Sequence, residues 1–155
     1  MGDPRRIRSE IVKPKQPWDK ERIAMELELI GEFGLRSKRE LYLAASILRR
    51  IRRAARSYLA LPPEERSAKE KELIRRLYNL SLVNEDSTLD DVLSLTVRSI
   101  LSRRLQSIVF AKGLAKSLHH SRQLIIHGKV KIGEEIVRTP GRIVTREEED
   151  KVSLA

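Results

Sequence analysis

The stretch SRRLQSIVFAKGLAKSLHHSRQLIIHGKVK, residues 102–131, decides how this chain folds. It holds two helical patterns joined by GLAKS. In the first, read from Ile100, the apolar residues Leu101, Leu105, Ile108 and Val109 share one helix face, with Arg103, Arg104 and Ser107 off it. Gly113 stands where that helix must stop, because glycine enters the left-handed conformation freely. Ser117 is placed to cap the second helix, which would end at His127 and Gly128. Val130 and Ile132 then alternate with Lys129 and Lys131, the period of a half-buried strand. A turn at Gly133 and Glu134 returns Ile136 and Val137 as the partner strand. Beyond the turn at Thr139-Pro140-Gly141, Ile143, Val144 and Val152 supply short further strands.

The same stretch is chemically one-sided. Arg103, Arg104, Gln106, Lys112, Lys116, His119, His120, Arg122, Gln123, Lys129 and Lys131 recur through it. No Asp or Glu occurs from Val92 to Gly133, although 35% of the chain is charged. A long gap in one sign of charge points to a surface that faces a polyanion.

Composition agrees. The chain has 32 Lys and Arg against 22 Asp and Glu, a net charge of +10, which suits nucleic acid or an anionic membrane surface. The bland alternative is a basic globular protein with a solvated surface. Its 155 residues can bury one core, or one core and a small satellite. Absence of cysteine excludes disulfides, thiol catalysis and cysteine-ligated zinc. The apolar runs fall far short of the ~20 residues that span a bilayer. The opening MGDPRRIRSEIVKPKQPW lacks the apolar core of a signal peptide, so a soluble cytosolic protein is expected. Aromatics, at 4%, are too few for a base-stacking platform.

Upstream, residues 1–18 carry Arg5, Arg6, Arg8, Lys13 and Lys15 among Pro4, Pro14 and Pro17, and read as a basic arm that orders on phosphates. Residues 19–97 read as helical. Asp19 caps a helix running to about Glu32, with Ile23, Leu27 and Ile30 as its apolar side and Met25 and Leu29 nearby. After Gly31 and Gly34, Ser37 and Glu40 read as a capping box for a longer helix. Its apolar face comprises Leu41, Ala44, Ala45, Leu48, Ile51, Ala55 and Leu59. Arg49, Arg52, Arg53 and Arg56, three and four apart, align on another side and repel one another unless phosphates neutralise them. Glu40 is the only acid between Leu35 and Leu61. A third helix opens among Glu64, Glu65, Glu70 and Glu72 with Leu73, Ile74, Leu77 and Leu80 inward, and Thr88 with Asp91 caps a short fourth.

RRLQSIVFAKGLAKSLHHSRQLIIHGKVKIGEEIVRTPGRIV, residues 103–144, resembles the S-four RNA-binding domain. LELIGEFGLRSKREL (27–41), LRRIRRAAR (48–56) and SRRLQSIVFAKGLAKSLHHSRQLI (102–125) resemble the archaeal and eukaryotic small-subunit ribosomal protein of the S-four family, so the likeness covers nearly the whole chain. The resemblance implies a primary binder of small-subunit ribosomal RNA that assembles early at a multi-helix junction. It also implies a place beside neighbouring small-subunit proteins near the messenger entry path, and an influence on decoding accuracy. Its RNA-facing positions here are Arg103, Arg104, Gln106, Lys116, Ser117, His119, His120, Arg122, Gln123 and Lys129. Ser121 stands where the family usually has alanine, Lys129 where a second histidine is frequent, and Gly141 where serine is common.

Other chemistries fit the residues less well. His120 and His127 lie two turns apart, but no carboxylate in the segment completes a metal shell, so no metal or other cofactor is expected. Ser117 and Ser121 have histidines nearby and no orienting acid along the chain, and no glycine-rich phosphate loop is present. Neither an enzyme nor a small-molecule or membrane partner is therefore expected. Glu147 to Asp150 read as a solvated turn, or as a contact to a basic neighbour. The expected architecture is α+β: a basic arm at 1–18, a helical region at 19–97, and two helices on a short antiparallel hairpin sheet at 98–155. A stand-alone RNA-binding protein and a DNA-binding helix-turn-helix regulator are the alternative readings.

Overall fold

Asp19 opens α1, Lys20–Glu32, its carboxylate accepting the Arg22 N–H at 3.4 Å. The computed structural model describes residues 11–12 and 14–155, so Arg5, Arg6, Arg8 and Lys13 of the expected arm lie outside the described residues. The inward side of α1 differs from its apolar spacing. Glu26 is buried, paired with Arg22, with Lys38 at 3.1 Å and with the Tyr42 hydroxyl at 3.1 Å. Met25 and Leu27 face out, while Leu29, Ile30 and Phe33 pack on the core. A carboxylate with three donors can be buried without an orphaned charge, and that cluster sets the rotation of the helix.

Gly34 turns the chain with φ +56°, and a side chain there would put Cβ 2.9 Å from the Leu118 Cβ. The following α2, Lys38–Leu59, buries Leu41, Ala44, Leu48 and Ala55. The expected capping box is not formed: the Ser37 side chain makes no cap bond, and the Glu40 carboxylate is drawn to two guanidiniums instead. Proline at the first turn starts α3, Pro63–Asn79, where the missing N–H costs nothing. Thr88 donates its N–H to Asp91 at 2.7 Å at the head of α4, Leu89–Ser94, and α5 follows, Val97–Ser102.

The continuous helix expected from Ile100 breaks at Arg103 and Arg104. Arg104 is extended (φ −73°, ψ 145°), and α6 begins anew at Leu105–Ala111. The returning loop supplies the bonds that a helix would have made. Leu105 N–H donates to the Arg142 carbonyl at 2.8 Å, and Val144 N–H to the Arg103 carbonyl at 3.0 Å. Of the strand expected at Ile143 and Val144, only an isolated bridge between Arg104 and Ile143 forms.

Ser117 caps α7, Leu118–Ile126, accepting the His120 N–H at 3.2 Å. Three short strands follow, β1 (Val130–Ile132), β2 (Glu135–Ile136) and, after α8, β3 (Val152–Leu154), in the antiparallel order β2-β1-β3. Lys131 lies opposite both Ile136 and Ser153. The stretch read as a turn at 147–150 is α8, Arg146–Asp150, with Thr145 and Glu148 in a reciprocal capping box. Two hydrophobic clusters result. One runs from Leu35 to Leu101, and the other from Leu105 to Val152.

Candidate RNA interface

Glu40 lies at the centre of the site. It pairs with Arg104 through one oxygen, and with Arg122 through both, at 2.9 and 3.2 Å. Burial alone would raise its pKa, but the hydrogen bonds from Arg122 and then Arg104 outweigh it and hold the carboxyl below the usual range. Beside it, Gln106 is 1% exposed. Its Nε2 donates to the carbonyls of Gly34 and Leu118 at 3.0 and 3.1 Å, and its Oε1 accepts from Arg122 at 3.3 Å. Ser121, fully buried, donates its hydroxyl to the Gln106 carbonyl at 2.7 Å. Arg103, 12% exposed at its side chain, pairs with Glu149 at 2.7 Å and donates to the Val144 carbonyl.

Four of the positions expected to face RNA are drawn inward. Arg104 and Gln106 are interior, and Arg103 and Arg122 are largely enclosed and held by carboxylates, so none of them presents a free surface to phosphate. The reason is that acids absent from the run reach it from elsewhere in the chain. Reversing Arg103, Arg104 and Arg122 to Glu would set carboxylates against Glu149 and Glu40 inside the fold.

The remaining cations face out. Lys116, His119, Gln123, His127 and Lys129 are exposed around the N-terminal turn and outer face of α7, with His120 and Lys131 half-buried beside them. His120 accepts the Lys116 backbone N–H on Nδ1 at 3.2 Å, which orders the GLAKS turn. His119, Gln123 and His127 line a groove with Arg36, and Lys112 lies 3.5 Å from the Val152 carbonyl. On α2, Arg49, Arg53 and Arg56 are exposed, and among the described residues none has an acid partner. Arg52 is turned inward and donates to the Leu95 carbonyl at 2.5 Å, because its position lies toward the core side of the helix. Arg50, exposed and three residues before Arg53, joins the stripe in its place; that spacing was visible in the sequence. The arrangement therefore offers two separate cationic surfaces, one of arginines and one of lysines and histidines, of the kind that suits phosphate contact.

Residues 103–150 match the S4 domain family. Over its full length the chain is similar to Small ribosomal subunit protein uS4 of Ignicoccus hospitalis, 55% identical across 100% of this chain and 93% of that protein. Its counterpart in Hyperthermus butylicus is 50% identical across 100% of this chain and 88% of that protein. The one in Sulfurisphaera tokodaii is 50% identical across 99% and 88%. With identity at this level from end to end, the chain belongs to the uS4 family of small ribosomal subunit proteins.

Proposed function

We propose that the protein is a structural, non-catalytic constituent of the small ribosomal subunit and binds its RNA through two cationic surfaces. The observation that carries this is full-length similarity to uS4 proteins, 55% identical to the first, in a chain of net charge +10 whose exposed cations on α2 and around α7 have no acid partner among the described residues. Its partners are small-subunit ribosomal RNA and neighbouring small-subunit proteins near the messenger path, in the cytoplasm. In this reading it acts early in assembly and supports decoding accuracy. Arg49, Arg50, Arg53 and Arg56 grip one RNA segment. Lys116, Ser117, His119, His120, Gln123, Lys129 and Lys131 meet another, with the basic arm of Arg5, Arg6 and Arg8 adding phosphate contacts. We divide the chain into 1–18, 19–97 and 98–155; the parting of the two core clusters between Leu101 and Leu105 supports a boundary a few residues beyond 97.

Sucrose-gradient sedimentation of a cell extract tests this. The protein is expected to travel with small ribosomal subunits and to leave them only at high salt. Recovery at the top of the gradient at physiological salt would refute the reading.

A further inference from the structure

We infer that Glu40 is a positioning residue that fixes the angle between the arginine helix α2 and the α6–α7 unit. The inference rests on the RNA-binding reading above and concerns how the two surfaces are held. Glu40 is in the first turn of α2 and is bound by Arg104, at the head of α6, and by Arg122, on α7. Gln106 fastens the same corner by donating to Gly34, in the α1–α2 turn, and by accepting from Arg122. Glu40 and Gln106 thus each tie one half of the chain to the other.

Apolar packing between the two halves is interrupted at this corner. Immediately beside the clamp is a half-open pocket of about 250 Å³ lined by Leu43, Ala44 and Ile47 of α2 and by Ile100, Pro140 and Ile143 across from them. A gap of that size removes the dispersion contacts that would otherwise lock two faces together. Ties elsewhere include the covalent crossing at 102–105, Ile143 against the first cluster, and the Arg146 guanidinium, which donates to the Ser81 hydroxyl at 3.3 Å and lies 4.0 Å from the Tyr78 ring, with α8 against α3. These define a hinge, and the Glu40 cluster stops it turning. A carboxylate accepting two guanidiniums constrains direction as well as distance, because Arg122 engages it as a fork. Two cationic surfaces at a set angle select a folded RNA over a straight duplex.

The absence of cysteine makes the angle measurable. Spin labels at Ser57→Cys on α2 and Glu134→Cys in the β1–β2 turn, both exposed, report the inter-half distance by pulsed electron resonance on the full chain without RNA. Glu40→Gln should broaden a single narrow distribution. It should lower affinity for full-length small-subunit ribosomal RNA about tenfold, as expected if one molecule in ten keeps the binding angle. Affinity for a plain RNA duplex, which one surface alone can hold, should hardly change. If Glu40→Gln fails to fold, Arg122→Lys, which keeps charge and loses the fork, makes the same distance comparison. An unchanged distribution overturns the inference, as does a broadened one with RNA discrimination intact. If the unaltered chain shows no preference for the ribosomal RNA, the functional reading falls, and the distance arm still judges the clamp.

Discussion

Replacing Gln106 by leucine separates an interior role from an RNA contact. Gln106 donates two hydrogen bonds, to Gly34 and Leu118, and accepts one from Arg122. Leucine fills a similar volume, so the cavity contribution is small. Losing the two donated bonds costs about 1 kcal/mol each. The Leu118 carbonyl keeps its place in the α7 ladder, whereas the buried Gly34 carbonyl loses its partner, adding roughly 1–2 kcal/mol. The leucine side chain recovers part of this by burial, leaving about 2–3 kcal/mol, a large share of a typical domain's 5–15 kcal/mol. With a urea slope of about 2 kcal/mol/M, the unfolding midpoint followed by circular dichroism should fall by roughly 1–2 M. Under conditions where both proteins are folded, affinity for a plain RNA duplex should stay within the tenfold that about 1.4 kcal/mol represents. A midpoint within error of the parent, with duplex binding abolished, would refute the reasoning and return Gln106 to the interface.

Two further outcomes follow from the charge arrangement. Neutralising Arg49, Arg53 and Arg56 together should reduce the salt dependence of RNA affinity, the log–log slope falling by up to ~0.9 for each phosphate no longer neutralised, with the urea midpoint nearly unchanged. The same slope as the parent in a filter-binding titration would remove α2 from the interface. Glu26 and Glu40 have folded-state pKa values below the ordinary one, where burial opposes ionisation and the partner hydrogen bonds overcome it. Their stabilisation is complete above the unfolded value of about 4.3 and is lost as pH falls through the lower folded values. Urea midpoints measured from pH 7 to 3 should therefore drop below about pH 4.5, less steeply in Glu40→Gln, and equal steepness would exclude Glu40 from that loss.

What was legible in the sequence was local. Asp19, Ser117, Gly34 and Gly113 end or begin helices through bonds and backbone angles within a few residues, and each does so where its neighbours indicate. Thr145 and Glu148 carried the same kind of signal, three residues apart, and could have been read as a capping box. The destinations of Arg104 and Arg122 were not legible, because their acid lies 64 and 82 residues away. The break at Arg104 was hidden by spacing. Leu101 and Leu105 are four apart, which fits one helix equally well as the end of one and the start of another. On α1, apolar spacing favoured Leu27, and a buried carboxylate with three donors decided otherwise.

The cations of residues 102–131 divide by type, and the division has a physical basis. All three arginines there, Arg103, Arg104 and Arg122, are committed to carboxylates in partly or fully enclosed places. Lys112, Lys116, Lys129, His119 and His127 remain outside, without acid partners among the described residues. A guanidinium is planar, weakly hydrated and forked, so it loses less than an ammonium when withdrawn from water to meet a carboxylate. An ammonium, strongly hydrated and free to turn, suits a phosphate at the surface. On α2 the sorting differs because Glu26 and Glu40 are already taken, and the exposed Arg49, Arg53 and Arg56 have no acid partner among the described residues. An acid-free run is thus a poor guide to which cations stand unpaired until the distant acids have been assigned, and here two of them, Glu40 and Glu149, pair with every arginine of the run.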